Sequence, residues 1–314
     1  MLVPFIPLYK RSDLMDRIVT VTQPDTQHLI HWIDTLRKKY TEITPTVYGR
    51  SKAGRPIFLL SIGTGKENIF YSAGFHGSEW ITVLTAMRFF EDIVFSKNES
   101  KLLSGYDFNK ILKEKRLVFM PCVNPDGTEI SINGFHSARE YYQIVKSVGK
   151  DDHIHWNANA AGVDINHNFD AGWEKLKEME LIQGIKTPAP TRFGGLAPES
   201  EPETRAVTTL CRQVDFSRAM ALHSQGEEIF WEYGENTPAE SRSMALKLSE
   251  KSGYTLVENS GLASHGGFKD WFIDELKKPA FTVELGKGEN PIPLRFFEGI
   301  YEKALPILAE FAAM

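Results

Sequence analysis

The sequence predicts a single α/β domain with a mixed, mostly parallel central sheet and helices on both faces. Segments typical of strands alternate with segments typical of helices along the 314 residues, and the strand-like runs are apolar on both sides. The length alone would also allow two ordinary domains, but no internal repeat is present. We assign residues 1–20, which show no clear period, to an N-terminal arm or linker, and residues 21–314 to the domain.

The first third of the chain predicts a helix, a hairpin, a strand and a second helix. Pro24-Asp25-Thr26 opens the first helix, and the apolar residues that follow it are spaced so that they share one face. The predicted elements are, in order, a helix from Gln27 to Tyr40, a β-hairpin of residues 46–48 and 56–62 with Gly54 in its turn, a buried strand from Ile69 to Ala73, and a helix from Ile81 to Phe90.

The middle of the chain is less regular. An apolar run from Arg116 to Val123 predicts a strand, and Asn124-Pro125-Asp126-Gly127 after it is a strong turn signal. Residues 132–193 are rich in His, Asn, Gly and aromatic residues with little periodicity, which is typical of long functional loops.

The last third returns to alternating elements. They are, in order, a helix that follows the capping sequence at residues 198–203, strands at residues 219–222 and 229–233, a helix near residues 239–252, strands near residues 254–257 and at 279–285, and a closing helix at residues 293–313.

Composition and charge exclude several classes of protein. A net charge of −5 and a pI near 6.0 give no reason to expect nucleic acid or an anionic membrane as partner. Cys122 and Cys211 do not make a disulfide framework. Residues 1–9 are apolar but short and broken by two prolines, no cleavage site follows them, and no stretch approaches the length of a membrane span. We therefore expect a cytoplasmic protein, whose oligomeric state the sequence does not indicate.

The residues after the predicted strands suggest a metal site. His76 and Glu79 follow the strand that ends at Ala73, and a histidine with a carboxylate is a donor pair that zinc accepts. Such a pair alone is more often a polar contact at a helix start. However, His223 and Glu284 also follow predicted strands, and ligands of α/β folds bind beyond the carboxyl ends of the strands.

Seven short motifs make the interpretation more specific. They are Gly49-Arg50-Ser51 with Gly54-Arg55-Pro56-Ile57, His76-Gly77-Ser78-Glu79, Asn124-Pro125-Asp126-Gly127, Gly162-Val163-Asp164-Ile165-Asn166-His167-Asn168-Phe169, Leu222-His223-Ser224, Gly266-Gly267, and Phe281-Thr282-Val283-Glu284-Leu285. In this order and at these intervals, the motifs resemble those of the zinc carboxypeptidase (carboxypeptidase A-like) family. The resemblance covers the chain from about Gly49 to the C-terminal helix.

This resemblance implies a peptidase with one zinc ion per chain. It makes His76, Glu79 and His223 the zinc ligands and Glu284 the general base that takes a proton from the metal-bound water. Taken singly, Glu284 at a strand end would more often be a solvated or ion-paired carboxylate, and His223 a core histidine.

The resemblance also assigns substrate-binding roles. Arg139, twelve residues after Gly127, matches the arginine that polarises the scissile carbonyl, although it would also suit an ion pair with Glu140. Asn166 matches the asparagine that binds the terminal carboxylate of the substrate. Asp164 either fixes a loop or accepts a hydrogen bond from a metal-binding histidine.

Three positions depart from ordinary carboxypeptidases. His167 occupies the place of an arginine that clamps the substrate carboxylate, and Leu262 that of a tyrosine that closes over the substrate. Lys269 occupies the position that, in the family, lines the specificity pocket for the substrate side chain. We therefore expect a substrate with an anionic group.

These departures resemble the branch that hydrolyses bacterial cell-wall peptides, the γ-D-glutamyl-diamino acid (diaminopimelate) peptidases. The leading hypothesis is therefore cleavage of the γ-D-glutamyl-meso-diaminopimelate bond. The alternatives are a metallocarboxypeptidase that releases ordinary C-terminal residues, including acidic ones, and a zinc N-acyl amino acid deacylase. A peptide-binding module without activity would require the loss of a ligand or the base, and all four residues are present.

Overall fold

The computed structural model describes residues 17–257 and 265–314. Within these ranges, eight strands form one sheet in the order β1-β2-β4-β3-β5-β8-β6-β7. The strands are β1 (Thr46–Arg50), β2 (Pro56–Ile62), β3 (Glu67–Ala73), β4 (Lys115–Met120), β5 (Phe216–His223), β6 (Glu228–Phe230), β7 (Thr255–Val257) and β8 (Ala280–Glu284).

The sheet is mixed, as the sequence predicts. Four neighbouring pairs, β4/β3, β3/β5, β5/β8 and β6/β7, are parallel. The other three, β1/β2, β2/β4 and β6/β8, are antiparallel. The four central strands β4, β3, β5 and β8 therefore run in one direction, and their carboxyl ends share one edge of the sheet.

Helices cover both faces of the sheet. They are α1 (Thr26–Lys39), α2 (Ile81–Glu99), α3 (Phe108–Glu114), α4 (Pro125–Asn133), α5 (Tyr142–Gly149), α6 (Trp173–Ile182), α7 (Pro202–Gln213), α8 (Ser241–Ser252), α9 (Phe268–Leu276) and α10 (Phe297–Ala313). One buried cluster joins the sheet to α1, α2, α8 and α10, and a second joins it to α7 and α9. Strand β3 contributes to both, since Tyr71 packs in the first and Phe70 in the second. This two-sided burial explains why the strands read as continuous apolar runs.

The first described residues pack on helix α2. The Ile18 amide donates to Glu91 Oε1 at 2.7 Å, Arg17 pairs with Asp92, and Val19 is fully buried. Residues 1–16 of the predicted arm lie outside the described residues. No helix in the described ranges is both long enough and apolar enough to cross a bilayer.

Two predictions about the middle of the chain are wrong. Asn124 does not open a simple turn but caps helix α4: its Oδ1 accepts from the Gly127 amide at 2.8 Å, and Pro125 occupies the first helical turn. Asn and Pro are favoured in turns and at helix starts alike, so the sequence signal is ambiguous. Residues 132–193 contain α5 and α6, and the sequence interpretation also missed α3 and α9. These helices have only seven to ten residues, too few for a clear apolar period.

A buried ion pair links two of the seven motifs. Asp126, at the start of α4, accepts from Ser51 Oγ at 2.8 Å, the Ala53 amide at 2.7 Å and Arg55 Nη1 at 2.7 Å. Arg55 Nη2 also donates to the Ser137 carbonyl at 2.6 Å. The hairpin turn between β1 and β2 is thereby fixed to the start of helix α4.

We expect Asp126→Ala to destabilise the protein by about 3–5 kcal/mol, because it leaves the Arg55 guanidinium buried without its partner. Urea unfolding followed by far-UV circular dichroism measures the change. Asp215→Ala, which removes an exposed pair with Lys278, is the matched control and should cost less than about 1 kcal/mol. Equal effects of the two substitutions would contradict the role given to the buried pair.

Candidate active site

The predicted ligands His76 and Glu79 lie on the connection between β3 and α2. Residues Gly77–Glu79 form a short 3-10 turn that leads into the helix. Gly77 is required because a Cβ atom there would come within 2.3 Å of the Gly127 carbonyl oxygen. The connection therefore packs directly against the start of α4, which positions His76.

The ligand atoms of His76, Glu79 and His223 converge at the carboxyl ends of the strands. Glu79 Oε1 lies 2.8 Å from His76 Nδ1, and Glu79 Oε2 lies 3.0 Å from His223 Nδ1. One ligand atom of each residue lies within 4.8 Å of the others. Two imidazole nitrogens and a carboxylate are the donor set of catalytic zinc sites that keep a position for water. The three residues therefore fit a zinc ion.

Asp164 fixes the orientation of His76. Its Oδ1 lies 3.0 Å from His76 Nε2, so the other ring nitrogen, Nδ1, faces Glu79. Asp164 is buried, and its Oδ2 accepts from the Arg192 amide at 2.7 Å. Burial alone would raise the pKa of Asp164, yet the charge of His76 and the hydrogen bonds hold this pKa well below its usual range. Asp164 is therefore an anion that contacts the candidate ligand His76 and also holds the loop at Arg192, as the two roles predicted for it require.

The ligands themselves are strongly coupled. Burial would raise the pKa of Glu79, but the charge of His76 and the hydrogen bond with His223 hold it at about 2. Burial would lower the pKa of His76, but the charges of Glu79 and Asp164 raise it well above the ordinary value. Glu79 is thus ionised at neutral pH, as a metal ligand must be.

Glu284 lies beside His223 at the same edge of the sheet. It ends β8, which pairs in parallel with β5 so that His223 and Glu284 are register partners. The Leu285 amide donates to the His223 carbonyl at 2.8 Å and fixes this alignment. Burial, followed by the charge of Glu79, raises the pKa of Glu284 well above its ordinary value. A carboxyl group with a raised pKa next to a candidate metal site is a candidate general base.

These side chains open into a cavity of about 150 Å³. The cavity is lined by candidate metal ligands, the candidate base and several predicted substrate-binding residues. The lining residues are His76, Asn166, His167, His223, Phe230, His265, Gly267, Lys269, Asp270, Thr282 and Glu284. A larger cavity of about 680 Å³ lies at the opposite end of the sheet, where Ser61, Lys113 and Arg116 line it. The metal-ligating cluster found in the described ranges lies at the smaller cavity, so the smaller cavity is the candidate active site.

Asn166 and His167 follow Asp164 in a 3-10 turn that the Asp164 side chain caps. Asn166 Oδ1 accepts from the Phe268 amide at 3.0 Å, which leaves the donor side of the amide to face a ligand. His167 Nδ1 lies 2.9 Å from the Arg192 carbonyl oxygen and 3.8 Å from Glu180 Oε1. Burial lowers the pKa of His167, but the charge of Asp164 and the hydrogen bonds raise it overall. A more readily protonated imidazole is a better carboxylate partner than a neutral one.

Lys269 lines the cavity, but it is not the lone cation that the sequence suggests. Its Nζ donates to the Glu232 carbonyl at 2.7 Å and forms a salt bridge with the neighbouring Asp270. Both residues are nearly fully buried, with exposures of 4% and 2%. The pocket therefore presents a matched pair of charges where the sequence interpretation expected one positive charge.

Two predicted residues are not among those that the structure places at the cavity: Arg139 lies elsewhere, and the other falls outside the described ranges. Arg139 Nη1 donates to the Ala53 carbonyl at 2.6 Å, and Arg139 is not among the residues that line the cavity. Its backbone has a φ of 56° and a ψ of −123°, a strained conformation for a residue with a side chain. Leu262 lies outside the described residues.

Asp270 is a cavity residue that sequence reasoning did not select. The available signal was its position directly after Lys269, at the start of a segment that the structure shows to be helix α9. Phe230 and Thr282 also line the cavity, and neither belongs to a motif position with a chemical role. Their contribution depends on how β6 pairs with β8, which the sequence pattern does not reveal.

The fold and the converging ligands define a metallohydrolase, and comparison with known proteins identifies its family. Residues 29–306 match the zinc carboxypeptidase family, so the chain belongs to this family and is a zinc metallopeptidase, for which the described cluster is the candidate zinc site. Gamma-D-glutamyl-L-diamino acid endopeptidase 1 of Lysinibacillus sphaericus is 35% identical over 285 residues, which cover 90% of this chain and 70% of that protein.

Two further comparisons concern an uncharacterized relative and a solved structure with the same fold. The uncharacterized protein YqgT of Bacillus subtilis is 34% identical over 279 residues, 86% of this chain and 73% of that protein. The crystal structure of carboxypeptidase A from Helicoverpa armigera superposes with a TM-score of 0.72 at 19% identity, covering 93% of this chain and 73% of that one. The predicted fold and the predicted enzyme class are both confirmed.

Asp164→Ala should weaken zinc binding by about 10- to 100-fold, because His76 then loses the carboxylate that orients its ring. Zinc affinity, measured by competition with a chromophoric chelator, tests this. Asp152→Ala is the matched control, since that carboxylate binds the exposed His155 instead. An unchanged affinity in the Asp164 variant would show that His76 is held by other contacts.

Proposed function

We propose that this zinc metallopeptidase hydrolyses amide bonds of bacterial cell-wall peptides, and specifically the bond between γ-D-glutamate and meso-diaminopimelate. The observation that carries the proposal is the charged lining of the cavity beside the metal ligands, where Lys269, Asp270 and His167 lie. An amino acid side chain with charged ends suits such a lining, whereas an apolar side chain would offer these polar groups no hydrogen bond. The similarity to gamma-D-glutamyl-L-diamino acid endopeptidase 1 supports the same substrate class.

Glu284 acts as the general base in this proposal. A zinc ion held by His76, Glu79 and His223 would supply Lewis acidity that brings the pKa of a bound water toward neutrality. Glu284, next to His223 on the adjacent strand, takes the proton of the attacking water. The same carboxyl group then gives this proton to the leaving amine, so it returns to its ionised form at the end of each turnover.

The remaining residues orient the substrate. The amide of Asn166 donates to a substrate carboxylate, and His167 contributes a second donor in place of the arginine clamp. Arg139 polarises the scissile carbonyl, a role that rests on the family resemblance. In this structure its Nη1 binds the Ala53 carbonyl, so the other N–H groups of the guanidinium would meet the substrate. Leu262 takes the place of a closing tyrosine.

Digestion of L-Ala-γ-D-Glu-meso-diaminopimelate by the purified zinc protein tests the proposal, with the fragments identified by mass spectrometry. We expect L-Ala-D-Glu and free diaminopimelate. Ordinary L-peptides that end in glutamate or leucine, and N-acyl amino acids, form the comparison set. If the comparison substrates are cleaved while the cell-wall tripeptide stays intact, the carboxypeptidase or deacylase alternative is favoured and the proposal is overturned.

A further inference from the structure

Glu180 is a buried carboxylate next to a residue of the cavity wall, and no step of the proposed hydrolysis uses it. It lies on helix α6 and is fully buried. Its Oε1 accepts from the Gly194 amide at 2.8 Å and lies 3.8 Å from His167 Nδ1. Its Oε2 forms a salt bridge with Lys177. Among the cavity residues that the structure describes, Glu180 pairs only with His167, so its charge acts on the cavity through that ring.

The ring of His167 has one nitrogen committed to the protein. Nδ1 lies 2.9 Å from the Arg192 carbonyl oxygen, which can only accept, so Nδ1 carries a hydrogen. No residue in the described ranges forms a hydrogen bond with Nε2, and His167 lines the cavity. Nε2 is therefore the nitrogen that is available to a ligand.

This fixed arrangement decides when His167 can bind a carboxylate. In the neutral ring, Nδ1 holds the only hydrogen and Nε2 presents a lone pair, which repels a carboxylate oxygen. In the protonated ring both nitrogens are donors, and Nε2–H can form a charge-assisted hydrogen bond. An arginine in this place would be charged across the whole working pH range. A histidine whose Nδ1 is already committed needs a proton first.

Negative charges face the ring from two elements. Asp164 caps the 3-10 turn that contains His167, and Glu180 faces the ring from helix α6. Burial lowers the pKa of His167, but the charge of Asp164 and the contact with Glu180 raise it. The Arg192 carbonyl acts in the same direction and the charge of His76 in the opposite one, and the pKa is raised overall. The titratable groups that line the cavity with His167 are His76, His223, His265, Lys269, Asp270 and Glu284.

The two carboxylates near the ring have different tasks. Asp164 Oδ1 lies 3.0 Å from the candidate metal ligand His76, so its charge is shared between two imidazoles. Glu180 has Lys177 as its second partner, and the Lys177 ammonium lies over the Phe193 ring at 4.3 Å. This packing holds the Glu180 carboxylate in place beside His167.

We propose that Glu180 is a positioning residue that keeps a hydrogen on both ring nitrogens of His167, so that the cavity binds a substrate carboxylate only while His167 is protonated. The inference rests on the proposed function, in which Asn166 and His167 receive that carboxylate, and it adds a dependence on pH. As the pH rises and the ring loses its proton, Nε2 changes from a donor to an acceptor and the affinity for the carboxylate falls. Because the pKa of His167 is raised, this loss occurs above the pH at which an ordinary histidine titrates, about 6.5.

Two substrates that differ only in this carboxylate test the proposal. They are L-Ala-γ-D-Glu-meso-diaminopimelate and the same peptide with a carboxamide in place of the carboxyl group next to the scissile bond. The metal site and Glu284 act on both peptides alike, so their own titrations cancel in the ratio of the two kcat/KM values. For the wild-type zinc enzyme we expect the acid-to-amide ratio to be constant at low pH and then to fall by up to about tenfold per pH unit once His167 loses its proton. A ratio that stays constant from about pH 5 to about pH 9 would overturn the proposal.

Variants assign the effect to its residues. Glu180→Gln keeps an acceptor for the Gly194 amide but lacks the charge, so the decline should begin about one pH unit lower than in the wild type. His167→Arg stays charged and should show a constant ratio. Glu178→Gln, which removes an exposed carboxylate of the same helix, is the matched control and should reproduce the wild-type curve. A Glu180→Gln curve that coincides with the wild-type curve would overturn the role of Glu180.

An NMR titration of the His167 ring in the zinc-loaded protein reads the same proton without turnover, and the His167→Arg spectrum assigns the signal. The midpoint should lie above about 6.5 in the wild type and about one pH unit lower in Glu180→Gln. A wild-type midpoint below that of an ordinary histidine would overturn the proposal, even if Glu180→Gln does not fold. If ordinary peptides are cleaved and the cell-wall tripeptide is not, the proposed function fails. The acid-to-amide ratio of an ordinary peptide and the NMR midpoint then still decide the inference.

Discussion

Replacing Glu284 by glutamine will reduce peptide hydrolysis by roughly 10²- to 10⁴-fold while the zinc content stays at the wild-type level. Glutamine keeps the size of the side chain but cannot take a proton from water. The metal ligands His76, Glu79 and His223 are unchanged, so zinc binding does not depend on the substituted group. Zinc analysis of the dialysed variant and kcat/KM on the cell-wall tripeptide measure the two expectations.

The control for this variant is Glu289→Gln, since Glu289 is an exposed carboxylate five residues further along the chain. It should retain wild-type activity and zinc. If Glu284→Gln hydrolyses the substrate at the wild-type rate, Glu284 has no part in proton transfer. If the variant loses zinc, Glu284 supports the metal site, and the loss of activity would carry no information about a base.

The convergence of the candidate site residues was predictable because of the way parallel sheets are built. His223 and Glu284 end strands β5 and β8, and His76 follows β3, so a fold with parallel central strands brings them to one edge. The apolar runs that precede these residues are easily recognised in the sequence. Contacts between the loops that follow the strands cannot be predicted in this way. They depend on side-chain geometry, which the hydrophobic periodicity of the sequence does not reveal.

Three residues illustrate this limit. Arg139 matches the family in its spacing from Gly127, yet its guanidinium binds the Ala53 carbonyl. Lys269 was identified as a pocket residue, but its partner Asp270 was not, because adjacent residues of a helix do not generally face each other. Asn124 was interpreted as part of a turn, although its side chain caps helix α4. In each case the sequence selected the residue but did not indicate the contact that its side chain makes.

The His223→Ala variant should lose both zinc and activity. We expect its zinc affinity to fall by more than the 10- to 100-fold that is typical when a hydrogen-bond partner of a metal ligand is removed. His223 contributes one of the three candidate ligand atoms, and its Nδ1 lies 3.0 Å from Glu79 Oε2. The substitution therefore removes one ligand and also removes a contact that orients the Glu79 carboxylate. Zinc analysis after dialysis and the thermal midpoint with and without added zinc measure this. The wild-type midpoint should rise with zinc, because a ligand that binds only the folded state stabilises it.

The change in the thermal midpoint on addition of zinc distinguishes a metal ligand from a core histidine. His223 is buried and stacks on Phe75 at 5.3 Å, so its truncation will lower the thermal midpoint whether or not it binds zinc. Only a ligand, however, will also abolish the increase in the midpoint on addition of zinc. His155→Ala, which removes an exposed imidazole, should keep both the midpoint and its increase. If the His223→Ala variant is destabilised but its thermal midpoint still rises fully on addition of zinc, His223 has a structural role only. Another residue would then have to complete the metal centre.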